Sequence, residues 1–184
     1  MLSGYRNGRK PVIVANPAGR PTFASMTLAD LARRLEAAGA SPANYSLGTR
    51  PYDGDCLLQE DGLWKVFYTE RGRDSPPSFT SPDEAAACQY YYDFTMRMQH
   101  RHLVGFLRSE AVVQAVRAQL ERHGIATFTD RILYRTNDWR TRVFVMGTDI
   151  FAARQLLGNQ LPLEDPAPPA LAVWWARLIG WLNN

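Results

Sequence analysis

The sequence predicts an α+β chain: two αββα-like units with antiparallel hairpins packed against helices, plus a C-terminal amphipathic helix. Three observations carry this. Leu28, Leu31, Ala32 and Leu35 recur at helical spacing. Asp61-Gly62, a dipeptide favoured in tight hairpin turns, separates two strand-forming runs. The order helix, hairpin, helix then recurs after residue 100.

The first 25 residues hold Gly4, Gly8, Pro11, Pro17, Gly19 and Pro21 and read as a flexible leader. Thr27 is placed to cap the first helix, with Asp30 as its reciprocal partner, and Gly39 to end it; Met26 is itself a candidate start. Residues 55–60 and 63–70 form the first hairpin. In the second strand Trp64, Val66 and Tyr68 alternate with Leu63 and Phe67, which predicts cover on both faces. Residues 72–78, with Pro76-Pro77, read as a polar loop. Ser81-Pro82-Asp83-Glu84 puts proline and acids in the first turn of a second helix reaching about residue 99. A third helix starts near Ser109, buries Val112, Val113, Val116 and Leu120, and stops before Gly124. Residues 131–135 and 142–147 form a second hairpin around Thr136-Asn137-Asp138. Thr148-Asp149 caps a fourth helix carrying Ala152, Ala153, Leu156 and Leu157.

The body is thus expected at 26–160, as a pseudo-repeat of 26–100 and 101–160, with duplication and convergence both open. Residues 161–169, with Pro162, Pro166, Pro168 and Pro169, read as a stiff linker. Beyond it Leu171, Trp174, Trp175, Leu178, Ile179 and Leu182 make one apolar stripe on a helix too short to span a bilayer. Three roles are open for that stripe: docking on its own domain, a partner or self-association surface through Trp174 and Trp175, and a membrane-surface helix. The single basic residue, Arg177, disfavours the last.

The net charge of +3 is concentrated at the front. Arg6, Arg9, Lys10 and Arg20 face no acid in the first 25 residues, which leaves 17 basic against 18 acidic side chains from Met26 onward. Without a basic stripe to displace counterions, nucleic-acid binding is disfavoured. No apolar run is long enough for a signal peptide or a membrane span, so a soluble, cytoplasmic protein is expected. Cys56 and Cys88 lie far apart with no ligand spacing beside either, and read as small buried thiols.

Catalytic and cofactor signatures are missing. There is no G-x-S-x-G, no phosphate-binding glycine loop and no H-E-x-x-H, so no cofactor and no metal is expected. His100, His102 and His123 are expected at the surface or at helix ends. Asp53 and Asp55 alternate in a glycine-containing loop, and Glu60 and Asp61 belong to a turn; solvated acids are the simpler reading than a general acid and base. The absence of chemistry points to a binding protein rather than an enzyme.

Several strings resemble a known family: Ser41-Pro42-Ala43-Asn44-Tyr45-Ser46-Leu47-Gly48, Asp55-Cys56-Leu57-Leu58, Trp64-Lys65-Val66-Phe67-Tyr68-Thr69-Glu70-Arg71-Gly72 and Phe79-Thr80-Ser81-Pro82-Asp83-Glu84-Ala85, with a looser likeness at 142–149. Over about 27–95 the chain resembles the immunity proteins paired with necrotizing-toxin (TNT) type NAD glycohydrolases of bacterial polymorphic toxin systems. The resemblance implies a cytosolic antidote that occludes the NAD-binding cleft of a cognate toxin. For such a role the protruding polar and aromatic groups are the candidate partner-binding residues: Asp53, Asp55, Glu70, Arg71, Arg73 and Asp74 around the first hairpin, and Asp138, Trp139 and Arg140 at the second. Structural alternatives stand beside them, Arg71 pairing with an adjacent acid and Trp139 folding back onto its sheet. Two other readings remain: a non-inhibitory adaptor or chaperone-like module working through the aromatic tail, and an enzyme with an unfamiliar site.

Overall fold

The computed structural model describes residues 26–165. The leader expected at 1–25, residues 166–169 of the expected linker and the tryptophan-rich helix lie outside the described residues; residues 161–165, expected as linker, instead pack on the second core and add a short strand at Leu163–Glu164 to its sheet.

Helix α1 (Leu28–Ala37) opens with the capping box read from the sequence: Asp30 N–H donates to Thr27 Oγ1 and Thr27 N–H donates to the Asp30 carboxylate. It closes by the double main-chain bond in which Gly39 N–H donates to Glu36 and Ala40 N–H to Leu35, both at 2.9 Å. After a single 3₁₀ turn (Pro42–Asn44) come β1 (Ser46–Leu47), β2 (Asp53–Glu60), β3 (Leu63–Glu70), β4 (Arg73–Asp74), β5 (Phe79–Ser81) and α2 (Glu84–Thr95). The hairpin β2–β3 turns at Asp61-Gly62, both at positive φ, and pairs Glu60 with Leu63. β1 joins β2 in parallel, while β4 and β5 both pair antiparallel with β3 at its two ends. Helices α1 and α2 cover one face, burying Leu31, Leu35, Leu57, Val66, Ala87, Cys88 and Tyr91. The opposite face buries the smaller apolar cluster of Cys56, Leu58 and Phe67, with Thr69 beside it. Phe67 lies under the guanidinium of Arg50, 5.4 Å from the ring centroid, and that arginine bridges Glu60 and Asp74. β3 is covered on both sides at Val66 and Phe67 as expected, one side by helices and the other by an ionic lid.

The second sheet is built by β6 (Arg101–Leu107), β7 (Phe128–Arg135), β8 (Asp138–Met146) and β9 (Leu163–Glu164), in the order β7-β8-β6-β9, with β9 parallel to β6. Helices α3 (Glu110–Glu121) and α4 (Asp149–Leu157) pack on one face over Val104, Leu107, Val143 and Val145. Because β7 returns on the far side of β8, the run β6-α3-β7-β8 is a split β-α-β unit. Both cysteines are buried, as expected, and burial pushes their thiols up, Cys56 to about 11 and Cys88 to about 12. No helix among the described residues is long and apolar enough to cross a membrane.

Several local expectations need correction. The helix cap of α2 is Asp83, whose side chain accepts from Ala85 N–H, while Ser81 ends β5; the helix stops at Thr95, since the chain must reverse to enter β6. Thr148 precedes α4 in helical geometry and makes no side-chain cap. On α4 the buried residues are Ile150 and Ala153, and Ala152 faces outward. The second hairpin is longer than expected, with Asp138 already in the ladder opposite Arg135.

His100 and His102 are likewise not at the surface: they are 5% and 8% exposed, at the seam between the units. His102 Nε2 donates to the carbonyl of Gly39 at 2.9 Å. His100 Nδ1 accepts from Ser41 N–H at 3.1 Å and lies 3.2 Å from Asn44 Nδ2, which places the imidazole proton on Nε2. Burial, and then the neighbouring His102, hold the pKa of His100 below its ordinary 6.5. In the unfolded chain it therefore takes up a proton at higher pH than in the folded one, so stability is full above about 6.5 and falls as the pH drops below it. Urea midpoints measured from pH 7.5 down to 5.5 should show this slope. His100→Gln, whose amide oxygen can still accept from Ser41, should reduce it.

Candidate partner-binding surface

At one end of the first sheet the chain forms a second tight hairpin. β3 and β4 are joined by Arg71-Gly72 alone, both at positive φ (50° and 78°), with Glu70 opposite Arg73. This is the backbone twist that matches paired strands. The stem is well tied: Arg71 N–H donates to Tyr52 O at 2.8 Å, Ser75 N–H to Tyr68 O at 2.8 Å, and Tyr68 N–H to Ser75 Oγ at 3.1 Å. The residues expected to be a featureless loop thus contain strand β4 and hold a fixed shape. Glu70, Arg71, Arg73 and Asp74 are exposed, and with Tyr68 and Ser75 they line a concavity of about 600 Å³.

Asp53 starts β2 opposite Glu70 and accepts the hydroxyl proton of Tyr68, so the phenol is pushed up to about 12, chiefly by that bond. Asp55 is half-buried, and desolvation raises its carboxyl pKa; its carbonyl receives the Tyr91 hydroxyl at 2.8 Å. Asp74 is bound by Arg50 Nε at 3.0 Å. Arg71 and Arg73 form no ion pair among the described residues, so the alternative in which Arg71 pairs with Glu70 is not what is seen. The fold therefore brings six of the nine candidate residues to one place: Asp53, Asp55, Glu70, Arg71, Arg73 and Asp74.

Asp138, Trp139 and Arg140 sit on the second sheet. The Asp138 carboxylate is gripped by Arg108 (2.8 and 2.9 Å) and by Arg140 (2.8 and 3.2 Å), which hold its pKa far below the usual carboxylate range. Arg140 in turn lies over the Phe106 ring at 5.1 Å. These two residues are committed internally and offer little to a partner. Trp139 is 48% exposed, with Arg131 stacked 5.3 Å from its ring, so it projects from the sheet.

Sequence reasoning missed Tyr52, 76% exposed beside the β3–β4 turn. It also placed Tyr68 on the same face as the buried Val66. That alternation is right, but the helices do not extend to this end of β3, so Tyr68 stays 40% exposed. Among the described residues no group of three or more His, Cys, Asp or Glu is placed to hold a metal. No family model, curated protein or solved structure matches this chain.

Proposed function

We propose that this chain is a cytosolic immunity protein, binding a cognate bacterial toxin and blocking its active site, with a TNT-type NAD glycohydrolase as the target. The observation that carries the reading is the β3–β4 hairpin: a rigid projection from a sheet braced by two helices, ending in unpaired arginines flanked by carboxylates and tyrosines. Obstruction needs shape and area but no reactive group, and a surface of about 800 Å² per partner suffices when a few anchors are well buried. A preformed hairpin also avoids the ordering cost that a mobile loop would incur on binding. The four carboxylates of Asp53, Asp55, Glu70 and Asp74 outnumber the three guanidiniums of Arg71, Arg73 and the Arg50 that holds Asp74. They suit a cleft that is basic enough to attract an anionic dinucleotide.

The test is to mix the purified chain with a TNT-type toxin and follow NAD loss. Protection complete at one equivalent is the expected result; turnover by the chain alone, or no complex with any neighbouring effector, would sink the proposal. Arg71→Ala with Arg73→Ala, which removes the two anchors without adding negative charge, should weaken the complex at least tenfold, about 1.4 kcal/mol. Both side chains are exposed, so the melting temperature should hardly move. Association should also slow as salt is raised, by about tenfold between dilute buffer and half-molar salt.

A further inference from the structure

The register of the second sheet divides its side chains cleanly. Val143 and Val145 point into the core under α3 and α4. The opposite parity pairs Leu103 with Phe144 and Phe106 with Arg142, and sets Ile132 beside Arg140. Tyr134 joins them, meeting Phe106 edge-on at 5.1 Å. Leu103, Phe106, Ile132 and Phe144 are only partly buried and Tyr134 is 49% exposed. No helix of the described residues packs on this outer face.

The arginines of the face are matched by acids. Arg142 holds Asp130 through two bonds of 2.7 and 2.5 Å, and Arg108 and Arg140 share Asp138, with Asp165 as the second carboxylate beside them. A face so neutralised does not suit a nucleic acid or an acidic peptide, which need uncompensated arginines. It suits an occupant that is apolar and nearly uncharged.

The chain supplies one. Residues 166–184 contain a single charged side chain, Arg177, and carry the stripe of Leu171, Trp174, Trp175, Leu178, Ile179 and Leu182. The last described residues lead to the face itself. Glu164 pairs with Phe106 through β9, and the Asp165 carboxylate takes the N–H groups of Arg108 (2.5 Å) and Ser109 (3.2 Å) and lies 3.8 Å from Arg140 Nη1. From that fixed point, residues 166–170 include Pro166, Pro168 and Pro169; as extended polyproline they reach about 15 Å. Four strands spaced about 4.8 Å apart are about 15 Å across. The reach matches the width.

We propose that residues 171–182 pack their tryptophan stripe across this outer face, closing the second sheet from the side opposite α3 and α4. The assignment is independent of the toxin reading. It is tested on the full chain with a nitroxide label on Ala176→Cys, beside the stripe and not part of it; Cys56 and Cys88, fully buried, stay unlabelled. In a dilute ¹⁵N-labelled sample, the amides of β6, β7 and β8 should lose at least half their intensity, with a smaller loss in α3 and α4. In the same labelled chain carrying Trp174→Ala and Trp175→Ala, which alters no described core residue, the loss should disappear while the amide spectrum stays folded. No broadening, or broadening unchanged by the tryptophan substitutions, overturns the proposal. So does broadening that arises only when a spin-labelled ¹⁴N chain is mixed with an unlabelled ¹⁵N chain, which would make a second copy the occupant.

Discussion

Replacing Gly39 by alanine is expected to destabilise the protein by about 3 kcal/mol, lowering the melting temperature by roughly 6–12 °C. Two independent effects add at this position. Its φ is +72°, a left-handed conformation that disfavours any side chain with a Cβ. An added Cβ would also stand 2.6 Å from both Gly147 C and Thr148 N, which are main-chain atoms of the other unit and cannot rotate away. The helix end and the seam between units therefore depend on the same missing methyl group. Thermal and urea unfolding of Gly39→Ala would measure the sum. As a comparison, alanine at Gly124, where φ is +76° but an added Cβ meets nothing within 4 Å, should show only the conformational part, about 1–2 kcal/mol. Equal losses at the two sites would refute the close-approach argument.

The second large effect is expected at Tyr91. This side chain is fully buried on α2, and its hydroxyl donates to Asp55 O at 2.8 Å and accepts Ser46 N–H at 3.2 Å. It thus fastens the helix to β1 and β2 where they enter the candidate surface, and burial holds its pKa far above that of a free phenol. Tyr91→Phe keeps the ring but strands two main-chain groups, at about 1–3 kcal/mol. Tyr91→Ala adds a cavity and should lose about 3–5 kcal/mol. Chemical denaturation of the pair separates the two parts; a phenylalanine variant as stable as the parent would show that the hydroxyl contributes nothing. Amide exchange at residues 53–56 should accelerate in the phenylalanine variant even where the global loss is small.

How much of this was legible from the residues follows from which interactions are local. The capping box at Thr27 and Asp30, the stop at Gly39, the turn at Asp61-Gly62 and the core stripe of α3 depend on neighbours within a few positions, and they appear where the sequence put them. β6 was not flagged because a bulge between Leu103 and Gly105 breaks its two-residue alternation. β5 and β9, at three and two residues, are too short to carry a period at all. The buried histidines were misjudged for a different reason. Nothing within 90–110 announces that His102 will meet the carbonyl of Gly39, 63 positions earlier. At the candidate surface, residue type pointed to the β3–β4 tip, but the separation of exposed Arg71 and Arg73 from the internally bound Asp138 and Arg140 depends on Arg108, which is 30 positions from its partner. Exposure at the far end of β3 depends equally on where α1 and α2 happen to stop.

The contacts seen at the seam come largely from main-chain groups: the carbonyl of Gly39, the N–H of Ser41, and the peptide of Gly147 and Thr148 against a residue with no side chain. Main-chain atoms are the same whatever amino acid bears them. A joint of this kind places heavy demands on two imidazoles and one glycine and very few on the decorated outer surfaces. The hairpin tips can then accept wide substitution, retuning which molecule they grip, while the scaffold that aims them keeps its shape.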